Sequence, residues 1–182
     1  MNTDDPQHAK EAFLQVYDEY ADAIFKHCFF RVSDRELAKD LAHDTFARTW
    51  RSVAQGNEIK NMKAFLYRVA HNLIVDSYGR KEKRTTSLDE MREGDEEGES
   101  AGFEPEDADA VERIEGNADR DRVRAAVAKL EEKYRTAVTM RYLDELSPKE
   151  IARITGESEN VISVRVNRGL GQLRTLLDIN QE

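Results

Sequence analysis

The sequence predicts an all-α fold: two small helical domains joined by a flexible acidic linker, the second a four-helix unit with a helix-turn-helix. Three observations carry this expectation. Apolar residues recur at helical spacing along most of the chain, only 3 of 182 residues are proline, and the net charge of −9 is concentrated in one stretch that lacks periodicity. Counting Lys+Arg against Asp+Glu gives 14 and 13 in residues 1–84, 2 and 13 in 85–117, and 12 and 11 in 118–182. The boundaries follow: a first domain over 9–84, a linker over 85–117 and a second domain over 118–177. Whole-chain acidity argues against a nucleic-acid partner, but the near-neutral flanks leave room for local basic faces.

Residues 1–8 are polar and expected to fray. From Lys10 the apolar positions Phe13, Val16, Tyr17, Tyr20, Ile24 and Cys28 mark a first amphipathic helix to about Phe30. Ser33 and Glu36 have capping-box spacing and open a second helix running to about Val53. On it Leu37, Ala38, Leu41, Ala42, Thr45, Phe46, Thr49 and Val53 share an apolar arc. Asp40, His43, Asp44, Ala47 and Arg51 share the opposite one, with Trp50 at the border. That polar arc is either a solvated face or a partner-docking strip, since a border tryptophan beside patterned charge suits docking.

Residues 55–61, QGNEIKN, read as a loop. A third helix follows, with Met62, Phe65, Leu66, Val69, Ala70 and Leu73 inward and Lys63, Tyr67, Arg68, His71 and Tyr78 outward, ending in the basic run Arg80 to Arg84. Two readings stand for the outward side. Interleaved aromatics and cations can hold a nucleic-acid strand, or they can be a solvated surface with snorkelling cations. Asn72 and Asp76 are expected nearer the packed side, with Asp76 able to pair with Arg80 one turn on. His71 is expected to be exposed and without a catalytic partner. From Thr85 to Gly116 the chain is acidic and aperiodic, a tether or a negatively charged occupant of a basic channel.

In the second domain, Val123, Val127 and Leu130, then Tyr134, Ala137, Val138 and Tyr142, mark two helices that pack on the helix-turn-helix, Leu146 to Arg174. Ser147, Pro148 and Glu150 supply a cap, a proline at the first helical position and a capping-box carboxylate. Ile151, Ala152 and Ile154 form the buried side, Gly156 makes the turn, and Ser158 caps the next helix. There Ile162, Val166, Gly169 and Leu173 pack, while Asn160, Val161, Val164, Asn167 and Arg168 are displayed, flanked by Ser163 and Arg165. Asn, small apolar groups and Arg suit the major groove, where they meet adenine, the thymine methyl and guanine or phosphate. An ordinary helical hairpin is the plainer alternative. Gly169 and Gly171 should weaken the end of this helix and let it fray.

The single Cys28 cannot form an internal disulfide, and neither a signal peptide nor an 18-residue apolar span is present, so a cytoplasmic setting without membrane insertion is expected. Cys28 beside His27 lacks partners for a metal site or a nucleophile and reads as a small core residue. His8, His27, His43 and His71 fall on separate faces or segments, so no catalytic residue, metal ligand or cofactor is expected.

The blocks DLAHDTFARTW, KAFLYRVAHNLIVDSYGRKEKR and LEEKYRTAVTMRYLDELSPKEIARITGESENVISVRVNRGLGQLR, in that order around an acidic linker, resemble bacterial RNA polymerase sigma factors of the extracytoplasmic-function (ECF) type. The resemblance runs from about Ala12 to Leu176. It implies a factor without covalent chemistry of its own that binds core RNA polymerase and directs promoter-specific initiation. Asp40, His43, Asp44, Phe46, Arg48, Trp50 and Arg51 would dock on the clamp helices of the largest polymerase subunit. Asn57, Lys60, Asn61, Lys63, Tyr67, Arg68, Asn72, Arg80 and Lys81 would open and read the minus-ten element. Ser158, Asn160, Val161, Ser163, Val164, Arg165, Asn167 and Arg168 would read the minus-thirty-five duplex, with the packing surface of that domain on the flap of the second-largest subunit. An anti-sigma factor is implied as a further partner, with sensing done by another protein.

Some positions depart from the family pattern. His43-Asp44 replaces a Gln-Glu pair, Ser163 a common basic residue, Val164 a small polar one, and Glu131 a proline. The rival readings are a stand-alone helix-turn-helix regulator, an enzyme with a helical domain, and a family member that has become an adaptor. The acidic linker and the Asp40 to Trp50 strip are not needed in a stand-alone regulator.

Overall fold

The computed structural model describes residues 6–86 and 118–178, with side chains over 9–80 and 118–177. The described residues form seven helices and no strand: α1 (Pro6–Val32), α2 (Arg35–Ala54), α3 (Met62–Thr86), α4 (Ala118–Ala128), α5 (Glu132–Tyr142), α6 (Pro148–Thr155) and α7 (Glu159–Asp178). The all-α class is the one expected. Helix α3 continues two residues past the expected linker boundary, and the rest of that acidic segment lies outside the described residues.

The junction of α1 and α2 differs from the expected capping box. The Ser33 amide still donates to the Phe29 carbonyl at 2.9 Å, and Ser33 closes α1 in the left-handed region with φ 55°. Asp34, in an extended conformation, is the true N-cap of α2, and its carboxylate accepts from the Leu37 amide at 3.1 Å. The two helices therefore turn through two residues.

Ile24 and Cys28 of α1, Ala38, Leu41 and Phe46 of α2, and Leu66, Ala70, Leu73 and Ile74 of α3 form the core of the first unit. Two buried threonines in α2 are satisfied locally, Thr45 donating to the Leu41 carbonyl and Thr49 to that of Thr45, each at 2.7 Å. The same core continues into the second unit through Ala137 and Met140 of α5, Leu146, Ile151 and Ile154 at α6, and Ile162 and Val166 of α7. A smaller cluster of Ala126, Val127, Leu130, Tyr134, Val138 and Leu173 holds α4, α5 and α7 together, and Phe30 of α1 packs against it. In this structure the two helical units lie against each other.

The expected fraying after Gly169 is absent, since α7 runs on to Asp178. A Cβ on Gly169 would stand 2.6 Å from Val138 Cγ2, so α5 and α7 approach closely at this glycine. The packing gained there offsets its poor helix propensity.

Candidate nucleic-acid interface

The helix-turn-helix is built as its sequence dictates. Ser147 is the N-cap of α6; its amide donates to Glu150 Oε2 at 2.8 Å and its hydroxyl at 2.6 Å, while the Glu150 amide donates back to Ser147 Oγ at 3.3 Å. These bonds hold the Glu150 carboxyl below the usual carboxylate range. Gly156 sits in the left-handed region with φ 75° and donates to the Ala152 carbonyl at 2.9 Å, closing α6. Ser158 Oγ then accepts from the Val161 amide at 3.3 Å at the start of α7.

Helix α7 buries Ile162, Val166, Gly169 and Leu173 and displays Asn160, Val161, Val164, Asn167 and Arg168. Val161 and Val164, one turn apart on the displayed arc, keep 39% and 41% of their surface exposed. Arg165 is half-buried and ion-paired to Glu157 at 2.5 Å, and Ser163, also half-buried, donates to the Glu159 carbonyl. Lys133 and Tyr134 of α5 face this helix across a groove of about 310 Å³ whose other wall includes Asn160, Val161, Val164, Arg165 and Arg168. The Lys133 ammonium lies 4.9 Å from the Tyr134 ring centroid, adding a cation at the rim that helix periodicity alone did not reveal.

On α2, Asp40, Asp44, Arg48 and Arg51 are exposed along one side, and His43 is half-buried. Trp50 is half-buried against Phe13, ring centroids 5.2 Å apart. Phe46 is a correction to the expected docking set. It is 4% exposed, wedged between Phe13 and Tyr17, because it falls on the apolar arc of its helix.

The third helix splits the expected strand-binding set. Arg68, Asn72 and Arg80 lie on its exposed side, with Asn72 and Asp76 exposed rather than near the packed side. Lys63 is half-buried beside Glu150 of α6, whose carboxyl it helps to hold down. Tyr67 is 2% exposed, so it is not the open platform residue expected. In the loop, Asn57 donates to Ser52 Oγ and Asn61 Oδ1 accepts from the Ala64 amide at 2.9 Å, capping α3; Asn57, Lys60 and Asn61 are all exposed. The Lys81 side chain lies outside the described residues.

What covers Tyr67 is the second unit. His27 Nδ1 of α1 and Asp144 Oδ2, just after α5, are 2.6 Å apart at 0% and 1% exposure, and Tyr67 hydrogen-bonds to the same carboxylate. Arg31 is fully buried, 3.7 Å from Glu132 and 3.5 Å from His71, so His71 is half-buried rather than exposed. Arg135 donates to the Arg31 carbonyl at 2.9 Å and to the carbonyls of Ala128 and Leu130, and Tyr78 also donates to the Arg31 carbonyl. The His27–Asp144, Arg31–Glu132 and Arg135–Arg31 contacts join residues more than 100 positions apart, and no local spacing announces them. The His27–Asp144 pair is sealed from solvent and cannot meet a substrate. Burial likewise pushes the Cys28 thiol up to about 12.

The structure thus sets a capped helix-turn-helix, with an exposed arc on its second helix, against a helical unit that carries a charged strip. Sequence comparison gives the family. The sigma-70 region 2 profile matches residues 16–85 and the sigma-70 region 4 profile matches 120–173. The ECF RNA polymerase sigma factor SigW of Bacillus subtilis is 29% identical over 174 residues, covering 92% of this chain and 90% of the relative. The ECF RNA polymerase sigma factor BldN of Streptomyces coelicolor is 31% identical over 172 residues, with 92% of this chain matching 61% of that protein. In fold the chain resembles the sigma factor RpoE solved with the anti-sigma factor NepR from Bartonella quintana, at TM-score 0.72, 21% identity and coverage of 93% and 98% of the two chains. It also resembles CnrH solved with the cytosolic domain of CnrY, at TM-score 0.63, 21% identity and coverage of 95% and 94%. The chain belongs to the sigma-70 family of RNA polymerase sigma factors, in its ECF class, and directs promoter-specific transcription initiation.

Proposed function

We propose that the second domain, 118–177, reads the minus-thirty-five duplex through Ser158, Asn160, Val161, Ser163, Val164, Arg165, Asn167 and Arg168, with Lys133 at the rim of the same groove. The observation that carries this is the exposed arc of α7, two bare valines between two asparagines and an arginine. Such a face fits the thymine methyl, the adenine edge and a guanine or phosphate. Arg165 and Lys133, off the centre of the arc, suit the phosphates.

In the first domain, 9–84, the exposed side of α2 with Asp40, Asp44, Arg48 and Arg51 docks on the largest polymerase subunit, His43 and Trp50 lying at its edge. The exposed loop and α3 residues Asn57, Lys60, Asn61, Arg68, Asn72 and Arg80, together with Lys63 and Lys81, contact the minus-ten element. The acidic segment between the domains is a linker. The protein works in the cytoplasm as a binding subunit without covalent chemistry. That two similar sigma factors were solved with NepR and with CnrY supports an anti-sigma partner here too.

The test is co-migration of the purified protein with bacterial core RNA polymerase on a sizing column, wild type beside Asp40→Ala/Asp44→Ala. Wild type should co-migrate and the double variant should not. A wild type that dimerises and shifts duplex DNA alone, without binding polymerase, would instead make it a stand-alone regulator.

A further inference from the structure

We propose that two carboxylates of the second helical unit, Glu157 and Glu131, hold down its attraction to duplex DNA. Each pairs with a cation beside the displayed arc of α7, Glu157 with Arg165 and Glu131 with Lys133, so a phosphate must displace a carboxylate to reach either cation. The proposal rests on the reading of α7 as the duplex-contacting helix.

Neither carboxylate caps a helix. Glu131 stands at the N-cap of α5, yet its side chain makes no capping hydrogen bond and turns instead to the Lys133 ammonium, 2.7 Å away. Glu157 lies in the turn between Gly156, which closes α6, and Ser158, whose hydroxyl caps the start of α7. Its Oε2 is buried and takes no hydrogen bond, and the Arg165 guanidinium stands 2.5 Å from it. Removing a carboxylate from water without a hydrogen bond is costly, and a facing charge is what offsets it. The placement of Glu157 is therefore accounted for by Arg165.

The two pairs fall where phosphates would. Lys133, Arg165 and Arg168 line one groove between α5 and α7, and two of these three cations are thus answered in place. Lys133 and Arg165 also feel each other: the bond to Glu131 raises the Lys133 pKa, and the Arg165 charge opposes that rise. Pairing of cations with phosphates supplies the sequence-independent strength of duplex binding. A carboxylate displaced from its cation then faces the phosphates, and this like-charge contact opposes binding. The unit therefore binds a duplex more weakly than its cations alone would allow, and base contacts from Asn160, Val161, Val164 and Asn167 carry a larger share.

The test measures the affinity of full-length wild type, Glu157→Gln, Glu131→Gln and Arg165→Ala for a fluorescent random-sequence duplex pool across a salt series, with circular dichroism as a check on helical content. Glu11→Gln, on α1, removes the same charge outside the groove. Each groove glutamine should bind several-fold more tightly at low salt, the gain shrinking as salt is added, while Glu11→Gln matches wild type. Each pair stands or falls with its own variant: unchanged or weaker binding rejects it, weaker binding making the carboxylate a support for its cation. A gain no larger than that of Glu11→Gln reduces the effect to net charge and overturns the proposal, as does a failure of wild type and variants alike to retain the duplex at low salt. Should Glu157→Gln lose helical content, Glu131→Gln, whose parent side chain is 62% exposed, decides alone. Arg165→Ala should bind more weakly than wild type. No loss there strikes the reading of α7 as the duplex-contacting helix and the proposal with it, whereas a loss there without a gain from Glu157→Gln strikes the pairing alone.

Discussion

Gly169 of α7 and Val138 of α5 touch so closely that the first carbon of any side chain at position 169 would lie 2.6 Å from the valine methyl. Valine is stiff about its first torsion and cannot swing aside, so the helices themselves would have to separate. Gly169→Ala should lower stability by about 1–3 kcal/mol. Gly171, two residues on, has nothing within 4 Å of an added Cβ, and Gly171→Ala should raise stability by about 0.5–1 kcal/mol. Urea unfolding of both variants checks the pair. Equal effects would mean that helix propensity alone governs this stretch.

Phe46 and Asp44 are two positions apart on α2 but should fail in different ways. Phe46→Ala removes a ring from the aromatic cluster with Phe13 and Tyr17 and should cost about 3–5 kcal/mol. Asp44→Ala, exposed, should leave the melting temperature within error while weakening binding to core polymerase. Thermal denaturation beside the sizing-column assay separates the two. A stable Phe46→Ala protein with a specific polymerase defect would return that ring to the docking set.

On α7, the displayed residues divide by chemistry. Val161→Ala and Val164→Ala should relax discrimination at individual upstream base pairs, each by up to about 1–3 kcal/mol. Lys133→Ala should instead weaken all sequences alike and reduce the salt slope of promoter binding by about 1. Filter binding of the polymerase holoenzyme to promoter duplexes across a salt series distinguishes the two classes. A uniform loss from the valine variants would assign them to packing.

His71 gives stability a dependence on pH. Burial first, then the charges of Arg31 and His27, lower its pKa from 6.5 to about 4. The unfolded chain therefore takes up a proton between these values that the folded protein does not. Stability from this group is complete above pH 6.5 and declines as the pH falls towards 4. His71→Gln should flatten that part of the curve in urea midpoints measured from pH 7 to 4. An unchanged slope would trace the acid sensitivity to other groups.

The elements that were legible in the sequence are those governed by neighbours along the chain. The Ser147–Glu150 box, Gly156, Ser158 and the two sides of α7 fall where periodicity and capping chemistry put them, because each depends on residues within one or two turns. Ser33 misled because a serine three residues before a glutamate also fits a helix end, and only the Phe29 carbonyl within reach of its amide decided which helix it serves. Phe46 had already been placed on the apolar arc of α2; family resemblance added it to the docking set, and burial returns it to the core. Tyr67 and His71 were misplaced for a different reason. A helix face reads as outward whenever its own helix does not need it, and nothing local records that Asp144 will reach the Tyr67 hydroxyl from the other unit or that Arg31 of α1 will lie beside His71.

The single thiol of the protein has a consequence for how it can be regulated. With a pKa near 12 and no exposed surface, Cys28 is ionised in roughly one molecule in 10⁵ at neutral pH, and that thiolate has no route to an oxidant. Cys28 is therefore sealed off as a site of oxidation while the fold is intact.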